Sequence, residues 1–117
     1  MERRGSFHFQ FVQKKSASGP DAGGRALEAA IRPYAFKVAG EPLAHYFDYE
    51  EGEYVLRFHV HRVTNLPTEI FVPDFHFGKG FDVWHSPGQL AFDEENDLLL
   101  FTPTAPGEQI VMIRKKE

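Results

Sequence analysis

Two histidines on one segment are the first residues whose spacing could do chemistry. His59 and His61 lie two residues apart in an alternating stretch, so both imidazoles project from one face and could bind a single metal ion. His76 and His85 are further ligands that the fold could add. Arg57 shares the face of His59 and His61, however, and a cation there opposes a divalent metal. We therefore favour a half-exposed polar sheet face, and predict neither a metal nor another cofactor.

A second group of ligand-type residues is acidic. Asp93, Glu95 and Asp97 occupy alternate positions, as do the first ligands of a calcium loop. Leu98 stands where such a loop needs glycine, and Thr104 stands where it needs its bidentate glutamate. The segment is interpreted as a solvated hairpin tip.

Catalytic groups are not specified by any motif. Ser86 follows a histidine, but the Gly-x-Ser-x-Gly elbow is missing and Pro87 lacks the backbone N–H that an oxyanion hole would use. Glycosidic hydrolysis needs two carboxylates held at a set separation, and nothing in the sequence pairs two of its 17 acidic residues in that way. Gly40-Glu41-Pro42 is similar to the Asn-Glu-Pro motif of some glycosidases, but Gly40 replaces the asparagine, so a turn is predicted. We predict no catalytic residue in this chain.

Aromatic side chains are the remaining candidates for binding. Trp84, with Phe75, Phe77 and Phe81 nearby, could form a platform on which sugar rings stack, or a surface that contacts lipid. Aromatic side chains of a sandwich more often belong to the core, and that alternative stays open.

Composition limits the class of protein. The chain has 117 residues, enough for one domain with a real core, and its 42% hydrophobic content opposes general disorder. A net charge of −4 and the lack of a basic stretch with interleaved aromatics exclude a nucleic-acid partner. No apolar run is long enough to span a membrane or to form a signal peptide. With no cysteine, these features favour the cytoplasm, with peripheral attachment to a membrane as an alternative.

The elements that would position these residues are mostly strands. Tyr54–His61 alternates most clearly, and Phe81–His85, Gln89–Asp93, Asp97–Phe101 and Gln109–Arg114 follow as a meander. Turn residues recur every 8–12 positions, which predicts an all-β fold, an antiparallel β-sandwich of about seven to eight strands. Before it, a short N-terminal helix is predicted at Ala22–Ile31, after a flexible segment over residues 1–21.

Five segments fall in an order that resembles a known family. The strongest are the tripeptide Arg32-Pro33-Tyr34 and the run Pro67–Pro73. Together the set resembles the C-terminal domain of endoglycoceramidase-like glycoside hydrolases of family 5, which include fungal glucosylceramidases and steryl glucosidases. The other three segments are Arg25-Ala26-Leu27-Glu28, Ala39-Gly40-Glu41-Pro42 and Phe47-Asp48.

The resemblance implies a β-sandwich that follows a catalytic TIM barrel. Residues 22–35 would then be the tail of the barrel and a linker, and residues 36–117 the sandwich. A barrel needs about 250 residues, so its catalytic glutamates have no counterpart here. What the resemblance implies for function is a non-catalytic accessory domain that braces the barrel and contacts a glycolipid, glucosylceramide or a steryl glucoside. A free-standing carbohydrate-binding module is the alternative.

Overall fold

The computed structural model describes residues 8–13, 32–73 and 77–116. Within these ranges the chain forms nine strands and no helix longer than a turn. The predicted helix Ala22–Ile31 lies outside the described residues. The strands are β1 (His8–Val12), β2 (Tyr34–Lys37), β3 (Glu41–Asp48), β4 (Glu53–Val60), β5 (Thr68–Phe71), β6 (Phe81–His85), β7 (Gly88–Asp93), β8 (Leu98–Pro103) and β9 (Gly107–Lys115).

The strands make two antiparallel sheets. One has five strands in the order β1-β6-β9-β4-β3, and the other has four in the order β2-β5-β8-β7. Their inner faces form one core that includes Phe58 from the first sheet and Phe101 from the second, whose rings meet edge to face with centroids 6.3 Å apart. The all-β fold class is thus confirmed, with nine strands rather than the seven to eight expected.

Strict alternation defines the inward face of β4, which lies between β9 and the edge strand β3 in the larger sheet. Tyr54, Leu56, Phe58 and Val60 are buried, while the residues between them are half-buried on the outer face. Because side chains of a strand point alternately to its two faces, this pattern fixes both the register and the inward face. The same alternation holds in β6 and β8.

The predicted turn at Gly40-Glu41-Pro42 is wrong in part, because Glu41 and Pro42 already belong to β3. Proline lacks the N–H that a central strand would need to donate, but β3 is an edge strand that pairs with β4 alone. The ladder shifts its register between Pro42 and Ala44, which accommodates the imino acid. Pro42 is therefore compatible with an edge strand as well as with the predicted turn.

Candidate functional site

The four aromatic residues predicted to contact sugar or lipid do not share one surface. Phe77 and Phe81 are buried in the core, with ring centroids 5.9 Å apart. Phe75 lies outside the described residues. Trp84 is half-buried on the outer face of the five-stranded sheet, because it alternates with the buried Val83 and His85. Of the described three, Trp84 alone presents its ring to the outside.

Trp84 is part of an apolar row that crosses the whole outer face of the five-stranded sheet. The register places Tyr46 beside Val55, Val55 beside Met112, Met112 beside Trp84, and Trp84 beside Phe9. We call these five residues the tryptophan row. Its two ends are the most exposed, with Tyr46 55% and Phe9 56% accessible. At about 4.8 Å between strands, the row is about 19 Å long.

Charged side chains border the tryptophan row on both sides. On one side Glu53, Arg114 and Asp82 stand next to each other in register. On the other, Arg57 Nε donates to Glu108 Oε2 at 2.6 Å. This ion pair is exposed and is worth at most about 1 kcal/mol to folding. The outer face is therefore a narrow apolar strip between two charged borders.

Of the four histidines considered for metal binding, His59 and His61 lie at one end of this face. The rings of His59 and His61 are 4.4 Å apart, and His61 Nε2 lies 3.2 Å from Glu41 Oε1. His85 is buried on the inner face, and His76 lies outside the described residues. Within the described ranges, no three His, Asp or Glu side chains are arranged to hold a metal ion.

The four-stranded sheet has an apolar outer face of its own. Tyr34, Phe71 and Leu98 stand side by side in register, and the rings of Tyr34 and Phe71 are 5.3 Å apart. Leu100 is half-buried on the same side, and Phe36 is 51% exposed at the irregularity of β2. We call these five residues the leucine face. Phe71, Leu98 and Leu100 are half-buried on this face, and Lys37 Nζ lies 5.9 Å from the centre of the Phe36 ring.

His85 is a buried titratable group on β6, next to the edge strand β1. Its Nδ1 lies 2.8 Å from the carbonyl oxygen of Ser86, and its ring meets Phe101 edge to face. Burial lowers the pKa of His85; the Ser86 carbonyl partly opposes this, and His8 adds to it. The imidazole is therefore neutral at pH 7, and with Nδ1 donating to Ser86, its Nε2 is an acceptor.

Both apolar outer faces were missed by sequence analysis. Alternating segments were read as apolar-in and polar-out, but β8 carries leucine on its outer side as well, and β9 carries Met112 there. The available signal was the continuous apolar run Leu98–Phe101, which is typical of a strand covered on both faces. The tryptophan row could not be found without the register, because its members come from five separate strands.

Comparisons with known proteins agree with this architecture. The profile of the family described as "Glycoside hydrolase family 5 C-terminal domain" matches residues 32–114. A glucosylceramidase of Rhizopus delemar is 48% identical over 56 residues, which are 48% of this chain and 8% of that protein. Endoglycoceramidase I of Rhodococcus hoagii is 35% identical over 83 residues, 71% of this chain and 14% of that protein. The chain thus spans a small part of the curated relatives it matches.

Solved structures show the same fold. Endo-glycoceramidase II from a Rhodococcus species superposes with a TM-score of 0.63 and 23% identity, over 80% of this chain and 21% of that one. Sterylglucosidase 1 of Cryptococcus neoformans superposes with a TM-score of 0.66 and 21% identity, over 80% of this chain and 15% of that one. In the described residues no helix is long and apolar enough to cross a membrane.

Proposed function

The chain belongs to the glycoside hydrolase family 5 C-terminal domain family, and we propose that it is the non-catalytic accessory domain of a glycosidase that acts on glycolipids. The observation that carries the proposal is the family match over residues 32–114, because the relatives that share it are much longer and are named as glucosylceramidase and endoglycoceramidase. Glucosylceramide or a steryl glucoside is the proposed substrate of the whole enzyme. Bond cleavage is assigned to the catalytic barrel, and this chain alone is expected to leave a chromogenic β-glucoside intact.

The leucine face is the proposed surface for the barrel. The family match begins at Arg32, directly before β2, so a preceding domain would reach the sandwich at the edge of the four-stranded sheet. Tyr34 and Phe36 stand on that strand, and Phe71, Leu98 and Leu100 continue the apolar surface inward. An apolar surface of this kind gains free energy when a partner removes it from water. The domain would brace the barrel through this contact.

A hybrid enzyme tests the bracing role. We expect endoglycoceramidase I of Rhodococcus hoagii, with this chain in place of its own C-terminal domain, to resist heat better than its barrel alone. Leu100→Asp should lower the inactivation temperature of the hybrid by about 5 °C or more, because a carboxylate would be buried at the contact. Tyr46→Asp, on the opposite outer face, is the matched control and should change it little. A hybrid no more stable than the bare barrel would refute bracing. If Tyr46→Asp lowered the inactivation temperature more than Leu100→Asp, the contact with the barrel would belong to the tryptophan row.

The tryptophan row favours a second role at the substrate. Its exposed rings and charged borders suit either a lipid-borne sugar at a membrane surface or a soluble polysaccharide, which is the binding-module alternative. Binding to a lipid-borne sugar would also attach the enzyme peripherally to a membrane. We favour this role because the relatives are named for glycolipids.

Vesicles and soluble glucan distinguish these versions. We expect the chain to co-sediment with glucosylceramide vesicles, and Trp84→Ala to reduce the bound fraction by about threefold or more, since the contact of one aromatic ring is worth about 1 kcal/mol. Tyr34→Ala, an aromatic change on the other sheet, should leave binding unchanged. A fluorescence change of Trp84 with β-glucan but none with vesicles would support the binding module instead, and no response to either would remove both roles.

A further inference from the structure

Strand β1 contributes little to the core of the sandwich. It pairs with β6 alone, and the side chains from His8 to Phe11 are exposed. Val12 is half-buried and is the residue of β1 that packs against the core. Its attachment therefore depends on the backbone ladder with β6 and on a few side-chain contacts. An edge of this kind is a template for adding an extended segment.

The outer side of that edge has two places shaped for aromatic rings. Phe9 packs against Trp84 with ring centroids 5.0 Å apart. Phe11 lies over Gly80, where a Cβ atom would come within 2.5 Å of the Val12 carbonyl oxygen and 2.9 Å of the Phe11 ring. Gly80 also has a φ of +100°, a conformation that residues with side chains rarely adopt. Lys116 completes the second place, with Nζ 5.5 Å from the centre of the Phe11 ring.

The inner side of the edge recognises a polar side chain. Gln10 Nε2 lies 3.1 Å from Nε2 of His85. Since Nδ1 of His85 donates to Ser86, Nε2 can accept a hydrogen bond from the Gln10 amide. His8 stacks on the same imidazole with centroids 5.4 Å apart. The β6 edge therefore recognises a segment by an amide side chain between two aromatic residues, in addition to the hydrogen bonds that it makes with the backbone of the segment.

Two further facts separate β1 from the rest of the sandwich. The family match covers residues 32–114, which contain every other strand except the last residue of β9. The 21 residues between Val12 and Tyr34 could reach about 70 Å if extended. A flexible linker of this length would give a local concentration of about 1 mM, at which a weak segment would occupy the edge most of the time.

We propose that the outer edge of β6 is a strand-addition site, and that residues His8–Val12 are its tethered ligand. The site takes an extended segment with aromatic side chains two residues apart and an amide side chain between them. A separate segment of the same chemistry, from another chain, binds there when the tethered strand is absent or weakened.

A peptide with the sequence of residues 8–13 tests the proposal on the full chain. In a Phe9→Asp and Phe11→Asp variant the tethered strand is weakened, and we expect the labelled peptide to bind with a dissociation constant on the order of 100 μM, measured by fluorescence anisotropy. The wild-type chain should bind it about tenfold more weakly, because the tethered strand competes at about 1 mM. The control peptide, with aspartate at both phenylalanine positions, should not bind either chain.

Further variants and controls decide whether the edge of β6 is a strand-addition site. Trp84→Ala added to the double variant should weaken peptide binding threefold or more. Equal affinity for the two peptides, or no binding to the folded double variant at 1 mM peptide, would overturn the proposal. A double variant that loses its far-ultraviolet strand spectrum would overturn it as well, since β1 would then be an integral part of the fold.

Discussion

Replacing Phe101 with alanine is expected to destabilise the chain by about 3–5 kcal/mol, a large part of the stability of a domain this size. The ring is fully buried on β8 and lies between the sheets, edge to face with Phe58 and with His85 of the opposite sheet. Its removal loses the transfer free energy of the ring and leaves a cavity that the two sheets cannot close. Urea unfolding followed by Trp84 fluorescence would measure the loss.

The neighbouring residue gives a matched control. Leu100→Ala lies one position away on the same strand but on the outer leucine face, where the side chain is half-buried. Its cost in the isolated chain should be about 1 kcal/mol, because water already reaches part of the side chain. Equal losses for Phe101→Ala and Leu100→Ala would mean that the core does not lie between the sheets as described.

Phe101 is buried and its neighbour Leu100 is half-buried, and this difference shows which features of the fold the sequence could predict. Alternation in β4 and β6 fixed their inward residues, because one buried face leaves a period of two. Phe77 and Phe81 were proposed as surface candidates since a loop rich in aromatics has no period that distinguishes core from surface. Their burial follows from packing against distant partners, such as Phe92 of β7 on Phe81, which spacing cannot show.

The order of the strands in each sheet could not be predicted from the sequence either. β6 and β9 are neighbours in the sheet although β7 and β8, which separate them along the chain, lie in the other sheet. This crossing between layers brings Trp84 beside Met112 and completes the tryptophan row. The flexible segment predicted over residues 1–21 includes residues 8–12, whose place beside β6 depends on contacts such as Phe9 on Trp84.

Alkaline pH is expected to loosen the contact between the sheets through Tyr54. Burial raises the pKa of this phenol from 10.0 to about 12, and the backbone of Ala35 in the facing sheet acts in the opposite direction. Among the described residues, no hydrogen bond of ordinary geometry engages the hydroxyl. The folded state thus keeps the proton over a pH range in which the unfolded chain has already lost it.

The sign of the effect follows from proton linkage. Between pH 10 and 12 the unfolded state binds fewer protons at Tyr54 than the folded state, so the free energy of unfolding falls as the pH rises. A shift of about two pH units corresponds to a loss of about 2–3 kcal/mol, complete above pH 12. Urea unfolding of the wild-type chain and of Tyr54→Phe at pH 8 and at pH 11.5 measures it. The Tyr54→Phe variant should lose about 2 kcal/mol less unfolding free energy than the wild type between these pH values. Tyr46→Phe, at the exposed end of the tryptophan row, is the control and should lose as much as the wild type. Equal losses in all three proteins would show that Tyr54 is not held protonated by burial.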